Sequence, residues 1–280
     1  MRLCQTFKQL ALRSWDLLTQ GRSNSFQLGE ETLTDSILLA LKAGHSHEVC
    51  THVFHKHAER KTGADWEWWL TGRSRKWFGL RVQAKVLDFR SNSFKHLHYG
   101  PRHYHKSQCD YLIESCAATN PSPVPAYCFY SQWQPETIGT GLLTRGGGCA
   151  IEFYGCALAT AGVVCGLRGG RGRARQSALE HVIPYALPWH LLVCQKENET
   201  EDLPTRACAA WKREAIAREQ SLLNSLGERR RNELQQALQA RGQVRVWDAA
   251  PDYVSAIVND VEPDSPPPVQ RVIIVREVTA

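Results

Sequence analysis

Apolar residues recur at helical spacing at Leu3, Phe7, Leu10, Trp15 and Leu18, which predicts an amphipathic first helix ended by the polar GRSNS. A second helix starts near Gly29 and carries Leu33, Ile37, Leu38 and Leu41 on one face, with Glu30 and Glu31 in its first turn, where carboxylates suit the helix dipole. CTHVFHK, ADWEWWL and GLRVQAKVL read as strands, the last two joined by RSRKWF as a loop or hairpin. A helix is expected from about Tyr104 to Ala118, with Leu112, Ile113 and Cys116 inward. PAYCFYS and PWHLLVC are nearly unbroken apolar runs, predicting strands buried on both faces, whereas IEFYGCALATAGVV fits helix and strand equally. QKENETEDLP reads as a linker, residues 205–240 as a charged helical stretch interrupted at Gly227, and the tail holds PDYVSAIV, PDSPPP and the strand-like RVIIVREV. No repeat occurs at a fixed period. The expected fold class is α/β: a mixed central sheet flanked by helices, with a helical C-terminal annex.

Composition narrows the class. The 280 residues are 42% hydrophobic and 22% charged, which suits a globular chain rather than a disordered one. A net charge of +6 permits a polyanionic partner without requiring one. No two of the ten cysteines are spaced C-x-x-C, and several sit in apolar runs, so they are expected as reduced, buried thiols in a cytoplasmic protein; a disulfide framework is the alternative. The N-terminus lacks the continuous apolar core of a signal peptide, and the longest apolar stretch, CALATAGVVCGL, is too short to span a bilayer, so no membrane association is expected.

The candidate chemistry lies between Gly63 and Leu87. Side chains alternate between the two faces of a strand. Asp65, Glu67 and Trp69 therefore share one face, with Trp66, Trp68 and Leu70 on the other; likewise Arg81, Gln83 and Lys85 oppose Leu80, Val82, Ala84 and Val86. If the strands pair with both polar faces on one side, Asp65, Glu67, Gln83 and Lys85 converge. A carboxylate and an amide oxygen can hold a hard cation such as Mg²⁺, with Mn²⁺ as the alternative. A lysine beside it can orient or deprotonate a water, or offset charge on a phosphoryl group. The competing reading is an ordinary half-buried strand, with Asp65 and Glu67 solvated or paired with Arg81 across the hairpin. Trp66 and Trp68 are expected in the core, whereas Trp69 could pack there or stack on a base.

Asp65, seventeen intervening residues, and then Gln83-Ala84-Lys85 resemble the bipartite signature of the restriction-endonuclease-like (PD-(D/E)xK) nucleases. The match is to the variant with Gln-x-Lys in place of Glu-x-Lys, as in methyl-directed restriction enzymes. Glu31-Thr32, GADWEWW and VQAK together resemble, more narrowly, an uncharacterised bacterial domain family placed in that superfamily. The similarity extends through Gln108, Leu112-Ile113, PAYCFYS and PWHLLVC, covering most of residues 3–195, and less clearly PDYVSAIV. It implies one nuclease-like domain over 1–280, with a core of about 22–195 and an annex of about 205–280. It further implies Asp65 as principal metal ligand, Gln83 as second, Glu31 as an acid from the first core helix, Lys85 as catalytic lysine, and Gln108 as a residue shaping the site. The implied activity is Mg²⁺-dependent endonucleolytic cleavage, with DNA as partner, in bacterial defence against foreign DNA; a homodimer and an activating partner are left open. Ala64 stands where the signature has proline, a common departure. Gln83 in place of an acid removes a negative charge, and so admits weaker metal binding or a degenerate module that only holds nucleic acid or a partner protein.

Three other clusters carry weaker expectations. His96, His98, His103, His105 and Cys109, and likewise His45, His47, Cys50 and His52, contain zinc-ligand types, but their spacing matches no zinc module and favours a structural role. Arg168, Arg171, Arg173 and Arg175 lie among glycines, and such a loop either contacts phosphates or is a plain surface segment. ERRRNELQQALQAR reads as a solvated helix face.

Overall fold

A computed structural model describes residues 2–53, 62–100, 106–134, 149–169, 176–194, 201–239, 243–264 and 267–277. Helix α1 (Leu3–Ser23) buries Phe7, Leu10, Trp15 and Leu18, the face its periodicity predicts. Helix α2 (Glu30–Gly44) begins after Gly29, whose carbonyl accepts from the Leu33 amide, and buries Leu33, Ile37, Leu38 and Leu41. Strands β1 (Val49–Val53), β2 (Trp66–Thr71), β3 (Trp77–Asp88) and the short β4 (Ser93–Phe94) follow. Next come α3 (Gln108–Ala117), β5 (Val124–Tyr130), β6 (Ala157–Thr160), α4 (Ala161–Leu167), α5 (Leu179–Val182) and β7 (Leu187–Pro188). The C-terminal part contains α6 (Leu203–Ala210), a π-helical turn (Trp211–Ile216), α7 (Ala217–Ser225), α8 (Glu228–Gln239), α9 (Asp252–Val258) and β8 (Arg271–Arg276).

The described residues form an open mixed sheet in the order β1-β8-β2-β3-β5-β6-β7, with β4 on β3. Strands β2 and β3 make an antiparallel hairpin, and β3 runs parallel to β5. Strand β8 lies between β1, antiparallel, and β2, parallel. That position corrects the expected helical annex: its last strand is an interior member of the sheet, and removing it would separate β1 from the rest. Helices cover both faces, each over a buried cluster. One holds Phe7, Leu33, Ile37, Trp66, Trp68 and Trp211; the other holds Trp69, Leu112, Ile113, Val163, Leu222 and Val254. Trp69 is fully buried and so is unavailable to stack on a base.

Two expectations are corrected in detail, and one ambiguity is resolved. PWHLLVC is not a strand: β7 stops at Pro188, and Trp189–Leu192 is a 3₁₀ turn pinned by the Trp189 Nε1 bond to the Phe7 carbonyl, 2.8 Å. An unbroken apolar run reports burial, and here the proline, lacking an N–H, coincides with the end of the ladder. The ambiguous IEFYGCALATAGVV is both, a 3₁₀ turn (Ile151–Gly155), then β6, then α4 capped by the Thr160 hydroxyl. Two cysteine pairs, Cys4–Cys194 and Cys109–Cys165, are disulfide-bonded, against the expectation of ten separate thiols. The partners are far apart in sequence, so no local spacing signals them. Burial pushes the free thiols of Cys116 and Cys156 up to about 12, so both act as small apolar fillers.

His190 lies in the same 3₁₀ turn, packed on Phe153 with ring centroids 4.6 Å apart. Burial, with Lys8 adding repulsion, pulls its imidazole down to about 4. The unfolded chain therefore takes up a proton between about pH 6.5 and 4 that the folded chain refuses, and stability is lost as pH falls through that window. Urea unfolding should give a lower midpoint at pH 5 than at pH 7, and His190→Gln should narrow the difference; an unchanged difference would remove His190 as its source.

Candidate active site

The β2–β3 hairpin sets the site by its register. Trp66 faces Val82 and Glu67 faces Arg81, and the Asp65 amide donates to the Val82 carbonyl at 2.9 Å. Asp65 thus sits one step ahead of β2, opposite Gln83. Its Oδ2 accepts from Gln83 Nε2 at 2.7 Å and from the Ala84 amide at 2.6 Å. Two donors on one carboxylate oxygen fix its position.

Gln83 is clamped from a third side. Its Oε1 accepts from Gln108 Nε2 at 2.6 Å. Gln108 opens α3, whose cap is built by Ser107 and Asp110: the Asp110 amide donates to Ser107 Oγ, and the Ser107 amide donates to Asp110 Oδ2. Arg168 braces that cap, with Nη1 on both Ser107 Oγ and Asp110 Oδ2. The loop arginine expected near phosphates is therefore committed to the helix that carries Gln108. Arg171, Arg173 and Arg175 lie outside the described residues, as do His103 and His105.

Gly63 permits this approach. It has φ +67, and a Cβ there would stand 2.7 Å from the Gln108 carbonyl oxygen and 3.3 Å from Gln108 Cγ. Gly63→Ala should therefore cost about 1–2 kcal/mol in backbone strain alone and push Gln108 away from Gln83. Denaturant unfolding measures the loss; a variant as stable as wild type would contradict it.

Lys85 is 5% exposed, and its Nζ lies 3.5 Å from Glu30 Oε2. Glu30 also accepts weakly from the Val86 amide through Oε1, 3.4 Å. Asp65, Gln83, Lys85, Glu30, Glu31 and Gln108 line one cavity of about 180 Å³, with Ala84, Thr34 and Arg271 completing the wall. Of the four residues expected to converge, Asp65, Gln83 and Lys85 line this cavity, together with Glu31 and Gln108, which the resemblance implied.

Glu67 is not part of that wall. It forms a fully buried ion pair with Arg81, 2.6 Å, and its Oε2 accepts from Trp69 Nε1 at 2.8 Å and Tyr253 OH at 2.5 Å. Burial works to discharge Arg81, but Glu67 outweighs it and holds the guanidinium above its ordinary range. The pairing across the hairpin is the correct reading for Glu67, and the converging one for Asp65.

Sequence reasoning missed Glu30 as a partner of Lys85, and missed Arg271 altogether. Tyr127, the neighbour of Gln83 on β5, was missed too; among the described residues its buried hydroxyl has no hydrogen-bond partner, and burial, with Asp65 and Asp110 nearby, raises its pKa far above the ordinary range. The adjacency of Glu30 to Glu31 was a signal for the first, but no local pattern pointed to the other two. His45 is structural, bonded to Thr6 Oγ1 and Glu48.

A family model described as a family of unknown function (DUF6615) matches residues 3–279. The chain belongs to that family. The match spans the site from α2 to β8, although the family brings no activity with it. No curated protein matches the chain.

The donor set suits a hard cation: carboxylate oxygens from Asp65, Glu30 and Glu31 and the Gln83 amide oxygen, with no thiolate or imidazole. Gln83 Oε1 has two lone pairs, of which Gln108 uses one. Among the described residues no three His, Cys, Asp or Glu side chains form a ready-made cage. The fit is therefore to an ion that keeps several waters and completes its shell with substrate oxygens, as Mg²⁺ commonly does. Among the described residues no helix is long and apolar enough to cross a membrane.

Proposed function

We propose that this chain is a metal-dependent nuclease of restriction-endonuclease-like architecture, hydrolysing phosphodiester bonds, with DNA as substrate and defence against foreign DNA as its setting. The observation that carries the reading is the convergence of Asp65, Gln83 and Lys85 on one cavity, each held by hydrogen bonds or an ion pair. Asp65 and Gln83, with Glu31 from α2, would hold Mg²⁺. Bound there, the ion would stabilise charge on a phosphoryl oxygen and acidify a water. Lys85 orients the attacking water and offsets the charge that develops on the phosphoryl group. Glu30 steadies the lysine, and Gln108 holds the Gln83 amide in its working orientation.

A second reading is favoured by one observation. Gln83 replaces an acid, and among the described residues no three His, Cys, Asp or Glu side chains form a ready-made cage. A module that binds nucleic acid without cutting it would keep the same fold. Incubating the purified protein with duplex DNA, single strands and RNA, with and without Mg²⁺, separates the two. Fragments that form only with the metal support the nuclease. Metal-independent binding without fragments supports the module.

A further inference from the structure

We propose that Arg271 is a phosphate-binding residue of this cavity, gripping a non-bridging oxygen of the scissile phosphodiester opposite Lys85; this rests on the nuclease reading. Arg271 opens β8, from the far end of the chain, and lines the same cavity as Asp65, Gln83 and Lys85. It is 7% exposed, so its guanidinium is held within the wall rather than waving in solvent. Its Nη2 pairs with Asp35 Oδ1 at 2.9 Å, and its Nη1 donates to Gln270 Oε1 at 3.1 Å. A guanidinium carries five N–H donors in a planar fork that matches the spacing of phosphate oxygens. These two contacts engage two of them, and Asp35, with its side chain 59% exposed, is a weak, solvent-screened partner.

The charges of the site give the arginine a task. The cavity wall carries three carboxylates, Asp65, Glu30 and Glu31, against two cations, Lys85 and Arg271. Lys85 is already shared with Glu30. Without a metal the wall carries net negative charge, and Arg271 is the cation whose carboxylate partner lies at the solvent edge rather than in the wall.

The test compares wild type, Arg271→Gln, Arg271→Lys and Asp35→Asn. Duplex DNA binding is measured with Ca²⁺ in place of Mg²⁺, over a salt series, and single-turnover cleavage with Mg²⁺. Arg271→Gln should bind about tenfold more weakly, with a salt slope shallower by about one, and cut about 10²-fold more slowly. Arg271→Lys, which keeps the charge but not the fork, should fall between, and it serves if the glutamine variant fails to fold. Asp35→Asn should bind and cut as wild type does. If Arg271→Gln and Arg271→Lys bind and cut like wild type, or Asp35→Asn declines as far as they do, the arginine is only a structural partner of Asp35 and the inference is overturned. Those results leave the nuclease reading standing. A wild-type protein that neither binds nor cuts DNA overturns both.

Discussion

Replacing Lys85 with alanine should lower Mg²⁺-dependent DNA cleavage by about 10³-fold or more while leaving the fold intact. Positioned acid–base and charge-stabilising groups each contribute about 10²–10⁴-fold, and a single lysine doing both sits in the upper part of that range. The loss should appear in turnover rather than in substrate binding, because the ammonium acts on charge that develops during the reaction. Lys85 is buried but at the cavity wall, and its only ion pair among the described residues is the 3.5 Å contact with Glu30. Its removal therefore leaves one carboxylate that can turn to solvent, not a buried orphan. Thermal unfolding should shift little. Cleavage by Lys85→Ala within tenfold of wild type would remove the lysine from the chemistry.

The second large effect is on stability, and it falls on residues of the same two strands. Glu67 and Arg81 have no exposed surface and face each other across the hairpin. Removing one partner strands a charge in the core, which costs about 3–5 kcal/mol. Glu67→Leu also deprives Trp69 Nε1 and Tyr253 OH of their acceptor, and Arg81→Met deprives Thr119 Oγ1 of its donor. Each single substitution should therefore lower the urea midpoint sharply. The double substitution should cost clearly less than the sum, because no buried charge then remains unpaired. Additive losses would mean that the two residues do not act as a pair.

Glu67 and Asp65 are two residues apart and share a strand face, yet one serves the core and the other the cavity. Strand alternation alone could place both on the polar side. It could not say that Trp66 opens β2, so that Asp65 lies at the strand's open end while Glu67 lies beneath α9 and Tyr253. The pairing of Asp65 with Gln83 was legible because a tight antiparallel hairpin turns sequence spacing directly into register. Gln108 was legible only through resemblance. Its role depends on Gly63, Ser107 and Arg168 bringing the start of α3 close, and those contacts are tertiary.

Other features depend on tertiary packing that local pattern does not specify. Glu30 and Glu31 are adjacent in the first turn of α2, and only packing decides which one meets Lys85. Arg271 comes to the cavity because β8 inserts between β1 and β2, a pairing between opposite ends of the chain. RVIIVREV reads as a strand from its composition, but its partners do not. PWHLLVC shows the opposite error, in which an apolar run correctly signals burial while the backbone turns into a 3₁₀ helix.

The most direct measurement is nicking and linearisation of supercoiled duplex DNA by purified wild-type protein and Asp65→Asn, side by side with Mg²⁺. Asparagine keeps the shape of the side chain and an oxygen for the Ala84 amide, but loses the negative charge a cation requires. The wild type should convert the plasmid only when Mg²⁺ is present, and Asp65→Asn should leave it intact over the same period. Conversion at equal rates by both proteins, or by neither, would contradict the assignment of this cavity as the centre of a phosphodiesterase.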